Sequence, residues 1–442
     1  MRIQTQTQTF HSTTSRQLVA PARSLLPLER EESPANDVVF SYRHCLCPLH
    51  QCIHNTHPWN TTTIMGVLTS QPGKGIYTLL AVVFNTVRLP LWLLYYIPSG
   101  TRPHKSWTYR QAILVQIVKA FLWNASMVQV KTPLSLSPNA EKEQWVVAEV
   151  ASASTYTGVV NSDAEIKPES TGGTWYPVRP GLSGFRAGYV VLHFHGGAYV
   201  IGDGRTKDAG FAAKMLIKNS EATHVYAPQY RLSSNPGCRF PAQLQDAITA
   251  YNYLIKQENI SPSKIIISGD SAGANLALSL VRYITEHGSK TGLGDPLACW
   301  LWSPWDPAGS LTSEGFDSSP NQASDYVTSA FGMWGAKTLQ PNANSGLTLD
   351  HPYISFNGHA FATKTPLYIS TGECEVLYHT DVDLYEKLNA IKGNKVDLQI
   401  EEHGVHDTIL AGPLLGFEKE ADVAAKRAGE WLRKVVAANK KA

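Results

Sequence analysis

The sequence predicts an α/β protein with a largely parallel sheet and helices on both faces. Two patterns carry that prediction. From about residue 143, short apolar runs rich in β-branched and aromatic residues alternate with helical stretches, the pattern of strands joined by crossover helices. Within that alternation, Gly269-Asp270-Ser271-Ala272-Gly273 falls between the strand-like KIIISGD and the helix-like AGANLALSL. A chain of 442 residues is long enough for one large domain of this kind with added elements.

Taken in order, residues 1–64 are unlike the rest. QTQTQTF is a polar repeat, Ser and Thr recur, and no apolar period is visible, so the stretch is expected to be a disordered extension. An alternative is that Met65 is the true start. Within it lie Cys45, Cys47, His50, Cys52, His54 and His57. Thiolates and imidazoles this dense raise zinc, but their spacing fits no zinc pattern and no flanking fold is evident, so no metal is expected.

Residues 65–135 read as an N-terminal arm of apolar cap helices. IYTLLAVVFNTVRLPLWLLYYI, 76–97, has the length to span a bilayer. Asn85, Arg88 and Pro90 sit near its middle, and a central Arg costs about 2.5–3.5 kcal/mol on insertion. Three readings stand: a single span, a helix lying in the interface, and a buried helix of a soluble cap. SWTYRQAILVQIVKAFLWNASMVQV, 106–130, reads as a second helix, and KTPLSLSP as a linker.

The α/β domain is expected over 140–442. QWVVAEVAS, TWYPVRP, GYVVLHFH, THVYAPQY, KIIISGD, ACWLWSPW, TPLYISTG and KVDLQIEEHG read as strands. AGFAAKMLIKNS, PAQLQDAITAYNYLIKQ, AGANLALSLVRYITEHG and EADVAAKRAGEWLRKVVAAN read as helices. Residues from about 306 to 362 read as a loop-rich insertion.

Composition narrows the function. The chain is 43% hydrophobic with a net charge of +2, and no long basic stripe suggests nucleic acid. Of six Cys, only Cys238, Cys299 and Cys374 fall in the main body, too few and scattered for a disulfide framework.

The chemistry centres on Ser271. A sharp turn from strand to helix lifts its hydroxyl out of the backbone, and the flanking glycines make room for that turn. The hydroxyl then stands at a helix N-terminus, which favours a developing anion. Serine is a poor nucleophile without a base. Glu373 and Glu375 follow one late strand, and His403 and His406 follow the next. Asp407 is discounted as the acid, because adjacent side chains seldom hydrogen-bond in the required way.

Four motifs in the right order make residues 140–435 resemble the hormone-sensitive-lipase-like branch of the α/β-hydrolases. They are His195-Gly196-Gly197-Ala198, Gly269 to Gly273, Glu373-Cys374-Glu375-Val376-Leu377 and Gly404-Val405-His406. YRLSSNPGCRFPAQLQDA, LWSPWDP and DYV are similar to connecting pieces of that family. The resemblance implies a triad of Ser271, Glu375 and His406. It implies oxyanion donors on Gly197, Ala198 and Ala272, with Gly196 making the turn and His195 in a structural part. Two departures stand out: Ala198 replaces the usual third glycine, and Glu375 an acid more often Asp.

The implied activity is hydrolysis of hydrophobic esters of short to medium acyl chain through an acyl-enzyme, with no cofactor. Phe331 and Trp334, with Trp302 and Trp305, are candidates for a pocket lining or for ordinary core. An anchor-like arm ahead of such a domain resembles fungal microsomal hydrolases of the steryl-acetate type, which implies lipid, sterol or terpenoid acetates. An amide hydrolase or an acyltransferase would use the same triad. A receptor that binds without cleaving would have no need of His406. The expected location is the endoplasmic reticulum membrane, with a soluble cytoplasmic protein as the alternative. Arg102, Lys105 and Arg110 after the apolar segment favour a cytoplasmic domain. The sequons at Asn60, Asn124 and Asn259 are usable only in the lumen.

Overall fold

The computed structural model describes residues 66–181 and 188–440. The polar repeat, the Cys/His stretch 45–57 and Asn60 lie outside the described residues.

Eight strands form one sheet: β1 (Trp145–Ala148), β2 (Thr171–Tyr176), β3 (Tyr189–Phe194), β4 (Ala222–Gln229), β5 (Ile265–Asp270), β6 (Ala298–Trp302), β7 (Leu367–Gly372) and β8 (Val396–Glu401). Their order is β1-β2-β4-β3-β5-β6-β7-β8. The pairs β1/β2 and β2/β4 are antiparallel; all the others are parallel. Every residue of β5 is buried, which is why this central parallel strand opens on the apolar run Ile265–Ile267 with no alternation.

The pleat sorts side chains onto two cores. Val190, Leu192, Ile267 and Leu301 face one. It is covered by α4 (Ala242–Lys256) and α5 (Ala272–Thr291), which contribute Leu244, Ile248, Leu276 and Leu280. Val191, Ile266, Trp300 and Trp302 face the other, covered by α3 (Thr206–Asn219) and α9 (Glu418–Asn439).

The N-terminal arm is two helices, α1 (Gly73–Tyr95) and α2 (Tyr109–Met127). Thr108 starts α2 with a capping box: its side chain accepts from the Gln111 N–H, and the Gln111 side chain accepts from the Thr108 N–H. The stretch 306–362 is less loop-like than its sequence suggests. It holds α6 (Ser329–Leu339), capped by the Thr328 side chain. Two helices follow that the sequence pattern did not mark, α7 (Tyr378–Asn389) and α8 (Thr408–Leu415).

The strand order reverses at β3: β4 lies on one side of β3 and β5 on the other. The carboxyl ends of these two strands form a topological switch point, where open α/β sheets leave a crevice. Gly196 and Ser271 follow those two ends.

Candidate active site

Ser271 has φ 52° and ψ −115°, a conformation costing an L-residue about 1–3 kcal/mol. Its surroundings hold it there. Its N–H donates to the Trp302 carbonyl at 2.8 Å, and its carbonyl accepts from the N–H groups of Ala274, Asn275 and Trp305. A Cβ on Gly269 would lie 2.1 Å from the Gly273 oxygen, and one on Gly273 would lie 2.0 Å from the Phe194 oxygen. Both flanking glycines are therefore required by close backbone approach.

The loop after β3 is pressed against this turn. A Cβ on Gly196 would sit 2.3 Å from Asp270 Oδ2 and 3.2 Å from Ser271 Cβ. The positive φ falls on Gly197 (108°), Ala198 (51°) and Tyr199 (60°). Gly196 thus supplies the close approach, and the turn expected of it is made at Gly197. The Gly197 carbonyl closes the turn by accepting from the Val200 and Ile201 N–H groups. The N–H groups of Gly197, Ala198 and Ala272 meet no acceptor among the described residues. Three donors left open beside Ser271 are suited to an oxyanion.

The segment YRLSSN anchors the loop from outside. The Tyr230 hydroxyl donates to the His195 carbonyl at 2.6 Å, and its ring stacks on His195 at 4.3 Å. Ser233 donates to the Tyr199 carbonyl through its N–H and its hydroxyl. His195 is buried, with Nδ1 2.7 Å from the Gly196 carbonyl oxygen, so it shapes the loop. His193 links β3 to β5, its Nε2 lying 3.1 Å from Asp270 Oδ1.

His406, in the β8–α8 loop, is buried with Nδ1 3.7 Å from Glu375 Oε1. That is ion-pair range and longer than a hydrogen bond. Burial lowers the His406 pKa, but Glu375, then Asp325 and Asp270, outweigh it and leave it raised. Burial pushes Glu375 up, but His406 pulls harder and its carboxyl ends below the usual range. The second oxygen of Glu375 accepts from the Gly372 N–H at 2.9 Å and the Ser303 hydroxyl at 2.6 Å. The expected triad residues thus follow the ends of β5, β7 and β8, with β6 lying between the first two.

Three further residues tie this arrangement together. The Ser303 hydroxyl donates to Glu375 and accepts from the Asp407 N–H at 2.9 Å. Asp325 Oδ2 accepts from the Val376 N–H at 2.7 Å, and Oδ1 from the His406 N–H at 3.3 Å. It therefore clamps the loops bearing the acid and the base, and burial pushes its pKa up to about 6. Asp381 accepts from the Thr371 hydroxyl at 2.8 Å. Burial, then the neighbouring Glu375, raise its pKa well above normal. LWSPWDP and DYV, the pieces that contain Ser303 and Asp325, were visible as connecting segments without a role. Asp381 had no signal.

The rivals fall elsewhere. Glu373 Oε2 accepts from His403 N–H at 2.9 Å and lies 3.1 Å from its Nδ1, both residues being exposed. Asp407 caps α8 by accepting from the Leu410 N–H, and burial, then Asp270, raise its pKa well above normal. Trp302 points into the core on the far face. Trp305 packs 6.2 Å from Tyr199, and Phe331 pairs with Trp334. Among the described residues no cluster of three or more His, Cys, Asp or Glu has metal-binding geometry.

An eight-stranded sheet of this order, with a strained serine at the switch point, defines the class. Residues 191–410 match the family model described as alpha/beta hydrolase fold, and the hydrolase domain of this chain belongs to that family. The chain is 27% identical over 212 residues to an acetyl-hydrolase of Streptomyces hygroscopicus, covering 48% of this chain and 65% of that one. It is 28% identical over 291 residues to carboxylesterase NlhH of Mycobacterium tuberculosis, covering 64% and 80%. The crystal structure of EstE5 soaked with p-nitrophenyl butyrate superposes with a TM-score of 0.51 at 25% identity, covering 73% of this chain and 99% of that one. The chain thus matches just under two thirds of the length of the acetyl-hydrolase, and a quarter to a third of several other curated relatives.

Proposed function

We propose that the protein is a serine carboxylesterase acting through an acyl-enzyme. The observation that carries this reading is the elbow at Ser271, with three open N–H donors beside it and the Glu375–His406 pair at the neighbouring strand ends. Ser271 Oγ attacks the ester carbonyl and His406 takes its proton. The carbonyl oxygen, now negative, is held by the N–H groups of Gly197, Ala198 and Ala272. Glu375 steadies the imidazolium. The alcohol leaves with the proton from His406, and water, deprotonated by the same imidazole, releases the acid and frees Ser271. The acetyl-hydrolase and carboxylesterase activities of the relatives support an ester substrate.

The substrate we propose is a hydrophobic ester of short to medium acyl chain, with lipid, sterol or terpenoid acetates in view. The exposed apolar surface of α1 supports membrane association, at the endoplasmic reticulum in this reading. The test is turnover of p-nitrophenyl esters from acetate to decanoate by wild type and Ser271→Ala. Wild type should hydrolyse the shorter esters, and the variant should lose at least about 10³-fold in kcat. A folded wild type inactive on every ester would overturn the reading.

A further inference from the structure

α1 is 23 residues long and apolar enough to cross a bilayer, but its placement argues for a different attachment. Near its start the Tyr77 hydroxyl donates to Asn124 Oδ1 at 2.9 Å, close to the end of α2. Near its end the Leu93 carbonyl accepts from the Tyr109 hydroxyl at 2.7 Å, at the start of α2. The two helices therefore run antiparallel, side by side, over about 24 Å. The link between them is fastened by Arg102, which donates to the carbonyls of Tyr96, Ile97 and Trp107.

α2 belongs to the hydrolase domain. Ala112, Val115, Val118 and Leu122 are buried against it. Gln111 donates to the Gly416 carbonyl at 3.0 Å, and Lys119 to the Gln322 carbonyl. For α1 to span a membrane it would have to tear away from α2, or carry these polar contacts into hydrocarbon. Held where it is, α1 lies along α2 with one stripe, including Tyr77, Ala81, Asn85, Arg88 and Trp92, half-buried and most of the rest of its circumference exposed. Leu80, Val87 and Leu94, seven residues apart, are 62%, 67% and 67% exposed, and Phe121 of α2 is 62% exposed. An apolar face of this extent on a surface helix calls for a partner.

Charge says which partner. Residues 66–140 contain Lys74, Arg88, Arg102, Lys105, Arg110, Lys119 and Lys131 and not one Asp or Glu. Of these, Arg110 faces Glu418 of α9 at 3.8 Å; an apolar stripe on an arm whose own charges are all cations suits a bilayer surface bearing anionic headgroups. Arg88, near the middle of the helix, lies over the rings of Phe84 and Trp92 at 4.9 and 4.6 Å.

We propose that α1, with the exposed edge of α2, is an in-plane docking surface for an anionic lipid bilayer. The arm is also fixed to the site's surroundings. Trp107 Nε1 donates to the His403 carbonyl at 2.8 Å, three residues before His406, and α2 packs on α6. Docking therefore sets the site end of the domain against the membrane, where an ester dissolved in lipid can enter. The proposal deepens the membrane reading above but uses no step of the esterase mechanism, so Ser271→Ala should bind vesicles as wild type does.

The test is flotation of the full chain with phosphatidylcholine vesicles, with and without phosphatidylserine. Binding should be stronger with phosphatidylserine and should weaken at high salt. Leu80→Glu/Leu94→Glu should lower the bound fraction about tenfold or more while keeping the wild-type melting temperature. To separate docking from spanning, Tyr77→Cys and Asn124→Cys are joined by a short bis-maleimide in a background without other cysteines. A locked protein that floats like the unlocked one supports in-plane docking. Loss of flotation on locking would mean that α1 inserts by leaving α2, and would overturn the proposal. So would indifference to the double Glu change, or no vesicle binding by a folded full chain.

Discussion

Glu375 reaches one methylene further than the commoner Asp, and its neighbours are arranged around that length. The Ser303 hydroxyl and the Gly372 N–H hold one oxygen, and His406 faces the other. The raised His406 pKa fixes the sign of a pH effect. Only the neutral imidazole can take the Ser271 proton, so activity should be lost as pH falls through a value above the ordinary histidine range. In Glu375→Gln the main raising influence is gone. The acid limb of the kcat profile should move to lower pH, and the plateau should drop by up to about 10⁴-fold. A profile whose limb stays in place would separate Glu375 from the imidazole. Of the residue-level site, the nucleophile, acid and base were legible because each sits in a short motif at a strand end. Asp325 and Asp381 were not, because a buried carboxylate that accepts from backbone N–H groups or from a distant hydroxyl carries no pattern along the chain.

α6 roofs the oxyanion loop through a glycine. A Cβ on Gly335 would lie 2.5 Å from the Ala198 oxygen and 2.8 Å from the Ala198 methyl. Gly335→Ala must therefore push the loop whose N–H groups face the reacting oxygen. Loss of one such donor corresponds to about 10²–10³-fold in kcat. Gly332→Ala, one turn earlier, meets the Phe316 ring at 2.7 Å and the Ser310 hydroxyl at 3.3 Å. It should lower the melting temperature and spare kcat, and parallel kinetics and calorimetry on the two variants check the contrast. These same glycines explain why 306–362 reads as loop: SAFGMWGAKTL carries two poor helix formers in eleven residues, and tertiary packing overrides propensity. The sheet was easier to read, because strands buried on both faces carry short continuous apolar runs, such as III in β5 and ACWLW in β6.

Across the whole molecule, the alternation of strand and helix marks the parallel sheet, but not how the arm attaches to it. Residues 76–97 have the same composition whether they cross a membrane, lie on one or pack in a cap. The hydroxyls of Tyr77 and Tyr109 bind the neighbouring helix and lay α1 along α2, and a hydroxyl's partner cannot be read from its own position. A second property belongs to the molecule as a whole. The site is ringed by carboxylates. His193 and His406 draw the Asp270 and Glu375 carboxyls below the usual range against the cost of burial, and burial pushes Asp325 up to about 6. An ester enters this field neutral; the acid it yields becomes an anion. In the proposed reaction that product would be repelled, which speeds its release and weakens product inhibition while leaving the equilibrium unchanged. At neutral pH acetate should inhibit far more weakly than its neutral isostere acetamide, and the gap should narrow as pH falls through about 6.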